Sequence, residues 1–103
     1  MKYSIKDRIA NERPTVEITD NLTVEVDNSF KKVIAMQETL SSDEYKSDAE
    51  RMLGVLSSLL KKEDVKAIEK LDLPFNEFIV VVQTIIAAAS GQSVDDIQDR
   101  FQK

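Results

Sequence analysis

The 103-residue sequence contains neither cysteine nor histidine. Without cysteine, the chain has no disulfide, no thiolate ligand for a metal ion and no thiol nucleophile, which fits a reducing compartment. Histidine is the side chain best suited to proton transfer near neutral pH, and it is the commonest metal ligand. Its absence also removes the usual base that activates a serine nucleophile. These two absences argue against an enzyme.

Glycine and proline are scarce, with two of each. The glycines, Gly54 and Gly91, stand far apart, so the sequence contains no glycine-rich phosphate-binding loop. Asp95, Asp96 and Asp99 form an acidic cluster, but their spacing is not that of a calcium-binding loop. We interpret them as acids near the start of a helix, where the helix dipole favours negative charge. The sequence therefore predicts no catalytic, cofactor-binding or metal-binding residues.

The charge is unbalanced: 14 basic and 19 acidic residues give a formal net charge of -5. Such a protein repels phosphate backbones and anionic membrane surfaces. The basic pairs at residues 31–32 and 61–62 have acidic neighbours, and we interpret them as solvated helix faces. The first residues lack the apolar segment of a secretory signal. The sequence therefore predicts a cytoplasmic protein that binds neither nucleic acid nor membrane.

Two regions differ in pattern. Residues 1–14 mix charges with isolated apolar side chains and end at Pro14, which predicts an irregular N-terminal arm. Residues 15–103 have the length of a single domain with one modest core. In residues 15–26 apolar and polar side chains alternate, which indicates a β-hairpin. The sequence thus predicts a mostly α fold with a small N-terminal hairpin (α+β), a compact bundle of four to five helices packed on that hairpin.

The face that each hairpin residue occupies favours a three-residue loop. Pairing Val16 with Val24 and Ile18 with Leu22 keeps all four apolar side chains on one face of the hairpin. The last residue of such a loop commonly adopts a left-handed conformation, which suits Asn21. The apolar face of the hairpin must then pack on the helices, because an isolated hairpin is only marginally stable.

Helical spacing of apolar residues predicts two helices after the hairpin. The first spans residues 30–40, and the second, longer helix spans residues 43–62. Ser41 and Glu44 have the spacing of a capping box, which places the start of the second helix beside them. Gly54 is costly inside a helix, so we interpret it as the mark of a close helix crossing.

Three further helices follow in the prediction. A short helix over residues 65–71 precedes Pro74, which is tolerated at the start of a helix. A strongly apolar helix over residues 75–89 then ends at Gly91, which can adopt the left-handed conformation of a helix C-terminus. A last helix spans residues 94–101. The β-branched residues 79–82 leave open a buried strand in place of part of the apolar helix.

The apolar helix over residues 75–89 is too short to cross a membrane. A helix that is apolar all round is usually buried, so one interpretation makes it the central helix of the bundle. The other leaves part of its surface uncovered for another chain, together with the leucine stripe of residues 52–60. So short a chain has few elements to cover the helix on every side. The predicted partner-binding residues are Phe78, Val80, Val81, Ile85 and Ala88.

The order of segments also carries a family resemblance. After the hairpin come a helix that begins Ser-Phe-Lys-Lys-Val, a leucine-rich helix, the segment Leu-Pro-Phe-Asn-Glu-Phe, an alanine-rich helix and an acidic end. From about residue 15 onward, this order resembles small tail-assembly chaperones of phages and prophages of Gram-positive bacteria. The resemblance implies a cytosolic protein that coats the hydrophobic helical tape-measure protein and is released as tail-tube protein polymerises. It assigns no role to single residues, and residues 1–14 fit it least.

The leading functional prediction is therefore a non-enzymatic protein-binding protein, which also self-associates, with tape-measure and tail-tube proteins as its partners. Two alternatives stay open. One is a structural or connector subunit of a virion, and the other is a small acidic inhibitor of another protein. An apolar contact should resist salt, whereas binding by an acidic inhibitor should weaken steeply as salt is added.

Overall fold

The computed structural model describes Lys2 and residues 13–91. This part of the chain forms strands β1 (Thr15–Thr19) and β2 (Leu22–Glu25), followed by helices α1 (Phe30–Ser41), α2 (Asp48–Leu59), α3 (Lys62–Lys70) and α4 (Phe75–Ser90). The predicted mostly helical α+β fold with an N-terminal hairpin is confirmed. The predicted last helix, over residues 94–101, lies outside the described residues, as does most of the predicted arm.

The two strands form an antiparallel hairpin whose register agrees with the prediction only in part. Val16 pairs with Val24, as expected from the alternation of apolar residues. The expected pairing of Ile18 with Leu22 is wrong, because Thr19 pairs with Leu22 and the register shifts between residues 17 and 19. Ile18 is thus the extra residue of a β-bulge. Both Ile18 and Leu22 still pack against the core. The three-residue loop was predicted in order to place these two side chains on the apolar face, and the bulge achieves the same placement.

The turn of the hairpin is one residue shorter than predicted. It contains Asp20 and Asn21, and the backbone N–H of Asn21 donates to the hydroxyl of Thr19 at 3.2 Å. Asn21 is not left-handed, since Asp72 and Gly91 alone have positive φ angles among the described residues. The bulge in β1 takes up the residue that the prediction had placed in the loop.

The last two residues of the predicted arm lie against the end of the hairpin. The backbone N–H of Val26 donates to the carbonyl of Pro14 at 2.8 Å, which extends the pairing of the strands. The Arg13 guanidinium lies 3.5 Å from the Glu25 carboxylate and 3.8 Å from the Asp27 carboxylate. Residues 13 and 14 are irregular, as predicted for the arm, and these contacts hold them beside the end of β2.

The second helix begins later than predicted. Ser47 caps α2 by accepting a hydrogen bond from the backbone N–H of Glu50 at 3.2 Å, and the Glu50 carboxylate accepts one from the backbone N–H of Lys46. The expected capping box at Ser41 and Glu44 is wrong, since α1 continues to Ser41 and a connection separates the two helices. Residues 41–44 and residues 47–50 both have the Ser-x-x-Glu spacing of a capping box. Packing therefore decides which of the two segments starts α2.

The packing that decides the start of α2 is a close approach between α1 and α2. A β-carbon at Gly54 would lie 2.9 Å from the hydroxyl of Tyr45 and 3.1 Å from the side chain of Thr39. The chain must leave the helical path before α2 for the Tyr45 ring to return to this position. In addition, the Arg51 guanidinium donates to the carbonyl of Ser42 at 2.8 Å and holds the connection against α2. The interpretation of Gly54 as a close crossing is confirmed.

Helix α4 has the start and end that the sequence predicts. Pro74 precedes its first turn, and Gly91 ends it with φ 67° while its N–H donates to the carbonyl of Ala87. The alternative of a buried strand over residues 79–82 is wrong, because these residues lie in the middle of the helix. Helix α4 packs against α2 and β1, and α2 also contacts α1 and α3. The buried core residues with no exposed surface at all are Val26, Val55, Leu56, Leu59 and Ile85.

Candidate protein-interaction surface

The two sides of α4 differ in burial. Successive residues of a helix are rotated by about 100°, so Val82, Ile86 and Ala89 face one way and point into the core. Val80, Val81 and Ala88 lie on the other side of the helix, with Thr84 between them. We call these four residues the α4 outer face. Val80 is 47% exposed, and Val81 and Ala88 are half-buried, so this apolar surface is only partly covered.

The polar member of the α4 outer face adds little polarity to it. The hydroxyl of Thr84 donates to the carbonyl of Val80, one turn earlier, at 2.8 Å. That bond satisfies the hydroxyl within the helix. The surface between Val80 and Ala88 is therefore more apolar than its composition indicates.

The other two predicted partner-binding residues do not lie on this face. Phe78 is half-buried and packs against the core. Ile85 is completely buried, so its selection was wrong and it stabilises the fold instead. It lies one residue beyond Thr84, and this rotation of about 100° turns its side chain inward.

The predicted role of the leucine stripe in binding is also wrong. Met52, Val55, Leu56, Leu59 and Leu60 are all buried. Helix α2 packs against α1, α3 and α4, so its apolar side is covered by the chain's own helices. The stripe forms the centre of the core and leaves little surface for a partner.

Two exposed apolar residues on α1 escaped the sequence prediction. Phe30 is 80% exposed and Ile34 is 37% exposed, and we call this pair the α1 apolar edge. The spacing of Phe30 and Ile34 with Val33 and Leu40 suggests that all four residues form one buried stripe. The buried residue of α1 is instead Met36. The apolar arc from Met36 to Ile34 spans roughly 160°, which is more than packing against one neighbouring helix covers. The width of that arc is the signal that could have found this edge.

A fourth exposed apolar residue lies at the start of α4. Phe75 is 54% exposed, and it lies in the first turn after Pro74. It is rotated by about 140° from Val80 around the helix, so it adds to the exposed apolar surface at one end of α4 without extending the α4 outer face.

The described residues line at least two openings. A cleft of about 460 Å³ lies between the end of α2 and α3 and is lined by Ser57, Leu60, Lys62, Val65, Lys66 and Glu69. One carboxylate and two ammonium groups in a cleft do not form a pair of acids for proton transfer. The second pocket, of about 100 Å³, is bordered by Arg13, Asp27 and Lys32.

The Asp27 carboxylate at this smaller pocket has a lowered pKa. Burial raises the pKa of Asp27, but hydrogen bonding from Ser29 opposes that effect, with the Ser29 backbone N–H at 3.1 Å. The positive charges of Arg13 and Lys32 lower the pKa further, so the net shift is downward. The backbone N–H of Asp27 donates to the carbonyl of Leu59 at 2.8 Å, which joins the end of β2 to the end of α2. This network stabilises the fold where the hairpin meets the helices.

Residues 13–91 lack two further features, a cluster of acidic metal ligands and a membrane-spanning helix. This part of the chain contains no group of three or more acidic side chains placed to hold a metal ion. None of its helices is both long enough and apolar enough to cross a membrane.

Comparison with known proteins adds no assignment: no family model, no curated protein and no solved structure matches this chain.

Proposed function

We propose that this chain is a non-enzymatic protein-binding protein, and that it acts as a phage tail-assembly chaperone for the hydrophobic helical tape-measure protein. The observation that carries the proposal is the partly uncovered α4 outer face, where Val80 is 47% exposed although Val82, Ile85 and Ile86 of the same helix are buried. The order of segments described above supports the choice of client. The proposal places the protein in the cytosol of the bacterial host.

The α4 outer face suits a client that is itself a helix. Helix α4 has 16 residues and is about 24 Å long, so several turns of a client helix can lie along it. A client would present apolar residues at spacings of three and four to Val80, Val81 and Ala88.

The strength of such a contact fits a chaperone that must release its client. Complete burial of a valine contributes roughly 1.5–3 kcal/mol, and about half of that is already realised for Val80 in the folded chain. Each copy therefore binds a client weakly. Many copies along one long client would shield its apolar length, and each could be displaced singly by tail-tube protein. The net charge of -5 would keep the coated client in solution.

Val80→Asp is the variant that tests the proposal. Val80 is exposed, so the aspartate should leave the fold intact while it places a charge in the client contact. Val81 is less suitable, because it packs against the core and its replacement would also destabilise the fold. Ser57→Asp is the matched control, since it adds the same charge at an exposed position of α2.

Binding would be measured by pull-down and calorimetry with a soluble fragment of a tape-measure protein, at low and at high salt. We expect Val80→Asp to weaken binding at least about tenfold and Ser57→Asp to leave it unchanged. The apolar contact should persist at high salt. Absence of binding by the original chain at both salt concentrations, or equal binding by Val80→Asp, would overturn the proposal.

Salt dependence of binding and the composition of purified particles separate the two alternatives. An acidic inhibitor would bind a basic protein, and its binding would fall steeply as salt is added. A structural subunit of a virion would be found by mass spectrometry in purified particles, whereas a chaperone is left behind during assembly.

A further inference from the structure

The α1 apolar edge is exposed on the side of α1 that does not pack on α2. Phe30 and Ile34 lie one turn apart, and Gln37 and Ser41 continue the same line along the helix at exposed positions. On the opposite side, Met36 is buried against the core. A phenylalanine that is 80% exposed beside an exposed isoleucine marks an apolar contact surface that the other described residues leave uncovered.

Two opposite charges flank this edge on one side. Lys31 and Glu38 are both exposed and lie seven residues apart, so they share a side of the helix at a separation of roughly 10 Å along its axis. Neither side chain takes part in an ion pair with another described residue. The charge therefore reverses along α1, from positive near its start to negative near its end.

We infer that α1 pairs antiparallel with α1 of a second copy of this chain. A two-fold axis near the middle of the helix, beside Ile34, brings Lys31 of each copy opposite Glu38 of the other. The two Ile34 side chains meet at the centre. Each Phe30 ring then lies over the line of Gln37 and Ser41, where the small serine leaves room for it.

Charge complementarity favours the antiparallel arrangement of the two helices. It also favours a second copy of this chain as the partner. A parallel pair would bring the lysines of both helices to one end and the glutamates to the other, and it would also align the two helix dipoles. The antiparallel pair opposes the dipoles and satisfies both charges at each end. A surface that is complementary to itself in this way suits a second copy better than an unrelated partner.

The contact is small. Helix α1 has 12 residues and is about 18 Å long, so the interface is below the standard size for stable complexes. The association is therefore weak and exchanges rapidly. It leaves the α4 outer face of each copy accessible, because α1 packs on α2 and the edge faces away from that contact.

The test is analytical ultracentrifugation of the full chain from about 10 µM to about 1 mM, the range in which weak complexes dissociate. The original chain should change from monomer to dimer across this range. Phe30→Ala removes the main apolar group from both copies, so the dissociation constant should rise about 100-fold. Val80→Ala is the matched control and should leave the dimer unchanged. Thermal unfolding of Phe30→Ala at low concentration should match the original chain, because Phe30 is exposed.

Charge reversal then tests the antiparallel register. Lys31→Glu and Glu38→Lys should each weaken the dimer about tenfold, since each turns two attractive contacts into repulsive ones. The double variant Lys31→Glu/Glu38→Lys restores both contacts and should return the dissociation constant to its original value. Lys66→Glu, at an exposed position of α3, controls for the change in net charge.

Three results would each overturn the inference: a monomer throughout the concentration range, a dimer that survives Phe30→Ala, or a double charge reversal that fails to restore association. None of them bears on client binding, which is measured separately with Val80→Asp. A monomeric protein that still binds a tape-measure fragment would remove the dimer and leave the proposed function standing.

Discussion

Replacing Ile85 and Val80 by alanine, one at a time, tests which side of α4 faces the core. The two residues are five positions apart on one helix, and they differ chiefly in exposure: Ile85 is fully buried and Val80 is 47% exposed. Both substitutions give the same product residue in the same helix. The difference between their effects on the free energy of unfolding therefore measures burial, with the change in helix propensity nearly cancelled.

The magnitude follows from the groups removed. Ile85→Ala deletes about three methylene equivalents at roughly 0.8 kcal/mol each, and the cavity adds to the loss, so we expect a decrease of about 3 kcal/mol. Val80→Ala deletes two equivalents that are only half removed from water, which costs roughly 0.8 kcal/mol. The higher helix propensity of alanine returns about 0.5 kcal/mol, so the net change should be within about 0.5 kcal/mol of zero.

Urea unfolding followed by circular dichroism gives both values from the transition midpoints, provided that the slopes agree. For a domain of this size, a loss of 3 kcal/mol lowers the unfolding temperature by roughly 12–24 °C. Equal losses for the two variants, or a larger loss for Val80→Ala, would show that the orientation of α4 described here is incorrect. The α4 outer face would then not exist as a surface.

Three other predictions concern the fold around this helix. Ser47→Ala should lower the free energy of unfolding by about 1 kcal/mol in urea titrations, because the hydroxyl that caps Glu50 is lost; Ser57→Ala, with no capping role, should change it little. Gly54→Val should cost about 1–3 kcal/mol in the same assay, since a β-carbon there meets the Tyr45 hydroxyl at 2.9 Å. The lowered pKa of Asp27 stabilises the fold above its unfolded-state pKa, and this contribution is lost as the pH falls through the folded-state pKa. The stability difference between the original chain and Asp27→Asn should therefore shrink from about pH 5 to about pH 2, and a difference that stays constant would contradict the assignment.

The bounds of α4 show how much of the fold follows from local sequence. Pro74 and Gly91 act through their own backbone preferences, one without an N–H and the other free to adopt φ 67°, and they placed the helix correctly. The alternation of Val16 and Val24 identified the hairpin in the same way. Signals of this kind operate within a few residues, so they are visible in the sequence.

The start of α2 and the exposed edge of α1 were not visible in this way. Ser41 and Ser47 carry the same capping signal, and the close contact of Tyr45 with Gly54 decides between them. Phe30 fits an apolar stripe as well as Leu40 does, yet only Leu40 packs against the core. Periodicity reports that a helix has an apolar side and does not report how much of that side the neighbouring elements cover.

The sequence by itself determined the class of fold, the order of elements and the presence of a helix richer in apolar residues than a surface helix needs. Only the tertiary structure decided which of those residues remain in contact with water: Val80 and Phe30 do, whereas Ile85 and the leucines of α2 do not. The reason is that secondary structure depends on contacts between residues close in the chain. Burial depends on contacts between helices that are far apart in it, and no local pattern specifies those.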